Sequence, residues 1–162
     1  MKARFGTLIS LVGLAACASS GASRPASSGN ATHWSGNFRP TNSASSAVMA
    51  PATPNRGAGT INLTALGGTP ALTRIEVTIS GGTPSMQLGW AVFSGACGSP
   101  GPIVAGQNQF PAISVSSSGD GHVQADISFM LDPRSSYHAN VYFGSRANDM
   151  NDIMMCANLT PQ

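Results

Sequence analysis

Beyond residue 32, apolar residues recur at every second position over much of the chain. The clearest run is Ala71 to Ser80, where Ile75, Val77 and Ile79 alternate with Arg74, Glu76, Thr78 and Ser80. Successive side chains of an extended strand leave on opposite faces. A period of two therefore sets one face on a core and the other in water. Gly59 to Leu66 puts Ile61 and Leu63 on one face. Leu88, Trp90 and Val92 alternate with Gly89, Ala91 and Phe93, and Val123, Ala125, Ile127 and Phe129 with Gln124, Asp126 and Ser128. Tyr137, Ala139, Val141 and Phe143 alternate with His138, Asn140 and Tyr142. Thr32 to Arg39 reads as an edge strand carrying Trp34 and Phe38. Phe110 to Val115 is a short strand begun by Pro111, and Ile153 to Leu159 is the last strand. No segment has a helical period, although the polar stretch Ser145 to Asp152 has room for one helical turn. The pattern predicts an all-β fold of about eight short strands, a sandwich or flattened barrel.

Turn chemistry separates these runs. Gly67-Gly68-Thr69-Pro70 and its near copy Gly81-Gly82-Thr83-Pro84 follow successive strands and are read as repeated turns, not as a repeat architecture. Gly95, Gly98, Pro100, Gly101 and Pro102 force a loop that holds Cys97. Residues 40–57, rich in Ser, Ala, Pro and Asn, read as a long loop or a second linker.

Composition narrows the function classes. Charged residues are 9% of the chain against a usual share of about 25%, while hydrophobic residues are 41%, enough for a modest core. Lys2 and Arg4 fall in a segment expected to be removed. The remaining six arginines (24, 39, 56, 74, 134 and 146) balance six carboxylates, Glu76, Asp120, Asp126, Asp132, Asp149 and Asp152. No basic patch is left for nucleic acid or anionic lipid.

The first residues, MKARFGTLISLVGLAAC, join a charged start to an apolar run that is too short to span a membrane. Leu14-Ala15-Ala16-Cys17 resembles the bacterial lipobox. That resemblance implies that Cys17 is diacylglycerylated, carries fatty acyl chains such as palmitate, and becomes the new N-terminus. Ala18-Ser19 follow in place of an Asp, which by the same resemblance favours the outer membrane. The expected organisation is a lipoprotein signal peptide at 1–16, a flexible Ser/Gly/Ala tether at 17–31 and one β-domain at 32–162. The membrane would be reached through the N-terminal lipid. With Cys17 lipidated, Cys97 and Cys156 remain as the pair available for a disulfide in an oxidising compartment, two free thiols being the alternative.

The strand, loop and cysteine unit resembles the copper/zinc superoxide dismutase family, and more closely the bacterial lipoproteins that carry a reduced version of that domain. Members read W-H-x-H-x-G-x-C, a G-P-I-V-like run, Y-P-P-L, N-V-H and a final A-C-G-D-L. This chain reads Trp90-Ala91-Val92-Phe93-Ser94-Gly95-Ala96-Cys97, then Gly101-Pro102-Ile103-Val104, Phe110-Pro111-Ala112-Ile113, Asn140-Val141-Tyr142 and Cys156-Ala157-Asn158-Leu159. The resemblance implies a Greek-key, superoxide dismutase-like barrel whose active-site loop is joined to the last strand by a Cys97–Cys156 disulfide. It also implies metal ligands at positions 91, 93 and 142. Those positions hold Ala, Phe and Tyr, so the redox chemistry is not expected to follow the fold.

Other chemistry is thin. His33, His122 and His138 have no compact ligand spacing. No G-x-S-x-G is present, and the Gly-rich runs precede strands where a phosphate loop needs a helix. Asp120 with Asp126 and Asp149 with Asp152 are read as turn and surface carboxylates. Met150, Met154 and Met155 are read as packing, with copper(I) ligation as the alternative. If the family strand order holds, Ala91, Phe93 and Tyr142 meet where the metal would have been, with His138 at the edge. They would form an apolar, aromatic binding patch on the surface, the alternative being that they merely fill the space under a loop. The expected function is a non-catalytic, cofactor-free, lipid-anchored envelope module that binds an unknown ligand or protein. The alternative is a metal-binding or dismutase-like enzyme with a rebuilt site.

Overall fold

A computed structural model of the chain describes residues 33–41, 57–144 and 153–162. The expected signal peptide at 1–16, Cys17, the expected tether at 17–31, most of residues 40–57 and the Ser145–Asp152 stretch lie outside the described residues. The domain is all-β. Its strands are β1 (His33–Pro40), β2 (Ala58–Gly67), β3 (Leu72–Ser80), β4 (Gln87–Ser94), β5 (Ile113–Ser114), β6 (Gly121–Ile127), β7 (Tyr137–Tyr142) and β8 (Ile153–Pro161).

All eight strands belong to one antiparallel sheet in the order β5-β4-β7-β8-β1-β2-β3-β6. A bridge between Val115 and Gly121, just beyond β5, brings the two edge strands together, so the sheet nearly closes into a flattened barrel. The β3–β4 and β6–β7 connections each cross to a strand that is not an immediate neighbour, which is the Greek-key pattern.

The inward residues follow from alternation. Ile61 and Leu63, Ile75, Val77 and Ile79, Leu88, Trp90 and Val92, and Ala139 and Val141 are all buried in one core. Their burial supplies the main driving force for folding. Trp34 stands edge-on to Tyr137 at 5.2 Å, and Trp90 to Phe110 at 5.1 Å, so aromatics from four segments lock the interior. Both Gly-Gly-Thr-Pro segments are turns. Gly67, Gly68 and Gly81 sit at positive φ, which an L side chain would resist.

Two expectations change. Thr32 to Arg39 reads as an edge strand, yet β1 lies in the interior of the sheet, between β2 and β8. The spacing of Trp34 and Phe38 reveals which face is buried but not which strands flank it. The Phe110–Val115 strand shrinks to Ile113–Ser114, preceded by a single 3-10 turn at Gln107–Gln109.

The β1–β8 seam has a local irregularity. Paired residues run Trp34–Pro161 and Ser35–Thr160, then resume at Arg39–Cys156 and Pro40–Met155 in the same register. Between them stands Gly36. A Cβ there would lie 2.7 Å from the Asn158 carbonyl oxygen and 3.0 Å from Leu159 Cδ2. The two backbones approach too closely for any side chain, which is the usual reason for glycine inside a strand.

Candidate functional site

The loop after β4 determines what the outer face of the barrel offers. β4 pairs with β7, and β8 lies on the far side of β7. Cys97, three residues past the end of β4, is nevertheless bonded to Cys156 on β8, with a Cα–Cα distance of 6.0 Å. The loop must therefore cross over β7. Besides the disulfide, four hydrogen bonds hold its course. Gly95 N–H donates to the Ser136 carbonyl at 2.8 Å, and Cys97 N–H donates to Asn158 Oδ1 at 2.7 Å. On its return, Ser94 N–H donates to Pro102 O and Val104 N–H to Val92 O, both at 3.0 Å.

Ala91, Phe93, His138 and Tyr142 lie beneath and beside this crossing. Register places Phe93 opposite His138, Ala91 opposite Asn140 and Gly89 opposite Tyr142, all on the outward side of the sheet. The rings of Phe93 and His138 stack at 5.4 Å with an interplanar angle of 20°. Asn140 Nδ2 donates to the Tyr142 hydroxyl at 3.3 Å. These residues meet, but they do not form the open surface that alternation alone suggests. Ala91 is 0% exposed and His138 and Tyr142 are each 2% exposed. For His138 the cover is the Cys97 crossing, whose Gly95 backbone hydrogen-bonds the imidazole.

A copper or zinc ion of the kind the resemblance implies does not fit these side chains. Ala91 and Phe93 carry no donor atom. Burial pushes the Tyr142 phenol above its ordinary value, against the opposing effect of the Asn140 hydrogen bond, so it stays protonated and ligates poorly. His138 alone offers a nitrogen. Among the described residues no three His, Cys, Asp or Glu side chains come together.

Burial also pushes the His138 imidazole below its ordinary value of 6.5, outweighing a backbone hydrogen bond at Gly95 that acts the other way. Between the depressed folded value and 6.5, the unfolded chain binds a proton that the folded chain does not. Stability therefore rises with pH across that window and reaches its full value above it. Acidifying from pH ~7 to ~5 is expected to lower the urea midpoint of the natural protein, and His138→Gln to flatten that dependence. An unchanged slope would contradict the assignment.

The other candidates stand apart from one another. His33 Nδ1 meets Thr64 Oγ1 at 3.2 Å and His122 Nδ1 meets Thr78 Oγ1 at 3.4 Å, each as a cross-strand pair on the outer face of the sheet. Asp126 is held by Arg74 in a two-bond ion pair at 2.8 and 2.9 Å. Asp120 accepts from Ser118 in the turn before β6. Met154 and Met155 are buried packing residues. Asp149, Met150 and Asp152 lie outside the described residues.

The structure adds a site that the linear pattern does not reveal. A groove of about 550 Å³ runs along the β1–β8 seam. Ser35 and Thr160 lie at one end and Arg39 beside the Cys97–Cys156 disulfide at the other. By the same register, Asn37 falls opposite Asn158 midway. The volume lies within the range of small-molecule sites, about 300 to 1,000 Å³. Much of the hydrogen-bonding capacity in the groove is already used. Ser35 Oγ accepts from Gln162 at 2.8 Å, Thr160 Oγ1 donates to the Ser35 carbonyl at 3.3 Å, and Asn158 Oδ1 is taken by Cys97. Thr41 Oγ1 donates to the Ile153 carbonyl. Among the described residues the Arg39 guanidinium, the Asn158 Nδ2 amide and the whole Asn37 carboxamide have no hydrogen-bond partner. Among the described residues the lining includes no carboxylate. The only sequence signal for this site is polar alternation, Ser35-x-Asn37-x-Arg39 in β1 and Asn158-x-Thr160 in β8. It acquires meaning only once those two distant strands are known to be neighbours.

No protein-family model matches the chain, and no curated protein matches it.

Proposed function

We propose that the chain is a lipid-anchored protein of the bacterial cell envelope, held in the outer membrane, whose superoxide dismutase-like barrel is a metal-free, non-catalytic binding module. The groove on the β1–β8 seam carries this reading. It is concave, of ligand size, and lined by polar groups that the described residues leave unengaged. The Leu14-Ala15-Ala16-Cys17 segment supports the anchor. The Greek-key strand order and the disulfide joining the loop after β4 to the last strand support kinship with the dismutase-like lipoproteins. Alanine, phenylalanine and a buried tyrosine at the inherited ligand positions support a binding role over a redox one.

The reading is tested on protein purified from membranes without chelators. It is expected to contain no stoichiometric copper or zinc and to show no dismutase activity above that of free metal, even after both metals are added. Cys17→Ser is expected to release the protein from the membrane fraction and abolish labelling by a fatty-acid analogue. Stoichiometric metal that is lost in His122→Ala or His138→Ala would replace this reading with a rebuilt metal site.

A further inference from the structure

The ligand class of the groove follows from its unused hydrogen-bonding groups, an argument that rests on the proposal that the groove is the binding site. Those groups are mostly donors. The Arg39 guanidinium presents N–H groups in a fixed fork suited to carboxylate and phosphate. Asn158 has its carboxamide oxygen engaged by the Cys97 N–H, and its amide donors have no partner among the described residues. Asn37, opposite Asn158 and two residues from Arg39, adds one more amide. The only described ion pair elsewhere is Arg74 with Asp126, on a different part of the sheet. Among the described residues no carboxylate lines the groove to neutralise Arg39. Arg39 is, among the described residues, a lone positive charge beside neutral amides and hydroxyls, which is complementary to one anion, not to a polyanion. The Ser35–Thr160 end is neutral, its hydroxyls already bonded to Gln162 and to the Ser35 carbonyl, so a ligand group there would share or displace those bonds. We infer that the groove binds a single oxyanion group, carboxylate or phosphate, carried on a hydroxyl-rich ligand such as an acidic saccharide. Arg39 and the Asn37–Asn158 pair hold the anion, and the hydroxyl end of the groove takes the neutral part.

Nuclear magnetic resonance of the lipidated protein tests this, in polyoxyethylene-ether micelles that carry neither sugar nor anion. Glucuronate, inorganic phosphate and glucose are the probes. Glucuronate or phosphate is expected to produce saturable shifts at Arg39 Nε–H and at the Asn37 and Asn158 side-chain amides. Which of the two does so identifies the source of the oxyanion. Glucose is expected to bind at least tenfold more weakly than the anion. Arg39→Gln should weaken anion binding by about ten- to a hundredfold, the usual effect of losing charge-assisted hydrogen bonds. Arg39→Lys should fall between, keeping the charge without the fork. Arg39 is exposed, so neither variant threatens the fold. Equal response to all three probes, unchanged in Arg39→Gln, would overturn the anion assignment and leave the groove as a binding site. Silence toward all three probes would overturn both.

Discussion

Removing the disulfide by Cys97→Ala with Cys156→Ala is expected to destabilise the domain by about 4 kcal/mol. The two cysteines are 59 residues apart in sequence. Cross-linking a loop of that length restricts the unfolded chain far more than it changes the folded one. Small domains are stable by only about 5 to 15 kcal/mol, so the loss is a large share of the total. Equilibrium urea unfolding of the oxidised protein and the double variant measures it, and a difference below about 1 kcal/mol would contradict the entropy argument. A second effect should accompany the first. Without the staple, the Gly95–Cys97 crossing keeps only the Cys97–Asn158 hydrogen bond to β8, and amide exchange at Gly95 and Cys97 should accelerate more than exchange in β2 and β3.

Gly101→Val is expected to cost about 3 kcal/mol, chiefly through the returning limb of the same loop. A Cβ at this position would stand 1.8 Å from the Ser94 carbonyl oxygen. That atom belongs to the backbone of β4 and cannot swing aside. The loop would have to lift, breaking the Ser94–Pro102 and Val104–Val92 hydrogen bonds and the bridge between Phe93 and Ile103. Near-natural thermal stability in Gly101→Val would mean that the limb is easily displaced. Gly98 is a useful contrast. Nothing lies within 4 Å of a Cβ there, and only its positive φ of 82° resists substitution, so Gly98→Ala should cost less than Gly101→Val.

Most of the sheet is legible in the alternation of β2, β3, β4, β6 and β7, because a half-buried strand writes its own faces into its sequence. Neighbours are a different matter. β1 looks like an edge strand because Trp34 and Phe38 report only which side is buried. That β8 lies beside β1 depends on contacts across more than a hundred residues, which no local window contains. The same limit applies to the sites. Alternation correctly sends Ala91, Phe93 and Tyr142 to the outward side of the sheet, but it does not reveal that Ala91, Tyr142 and their neighbour His138 are covered there, His138 by a loop anchored to a strand two places away. The disulfide, in contrast, is readable from parity and compartment, since lipidation at Cys17 would leave two cysteines. The Arg39 groove is missed because each of its walls, taken alone, is an ordinary solvent-facing strand.

The chain at residue 162 returns to where the domain begins, with Gln162 N–H donating to the His33 carbonyl at 2.9 Å. Any tether preceding residue 33 and any fusion following residue 162 therefore leave from one point of the barrel. Tension applied between those two points would not shear the β1–β8 ladder along its length. It would open the ladder like a zipper, one pair at a time, from Trp34–Pro161 and Ser35–Thr160 through the thin stretch at Gly36. The opening would then meet Cys156, which is covalently fixed to the loop after β4. Under load the disulfide is thus a stop placed part-way along the seam, and chemical reduction should extend the length of chain that a single-molecule pull releases in its first step.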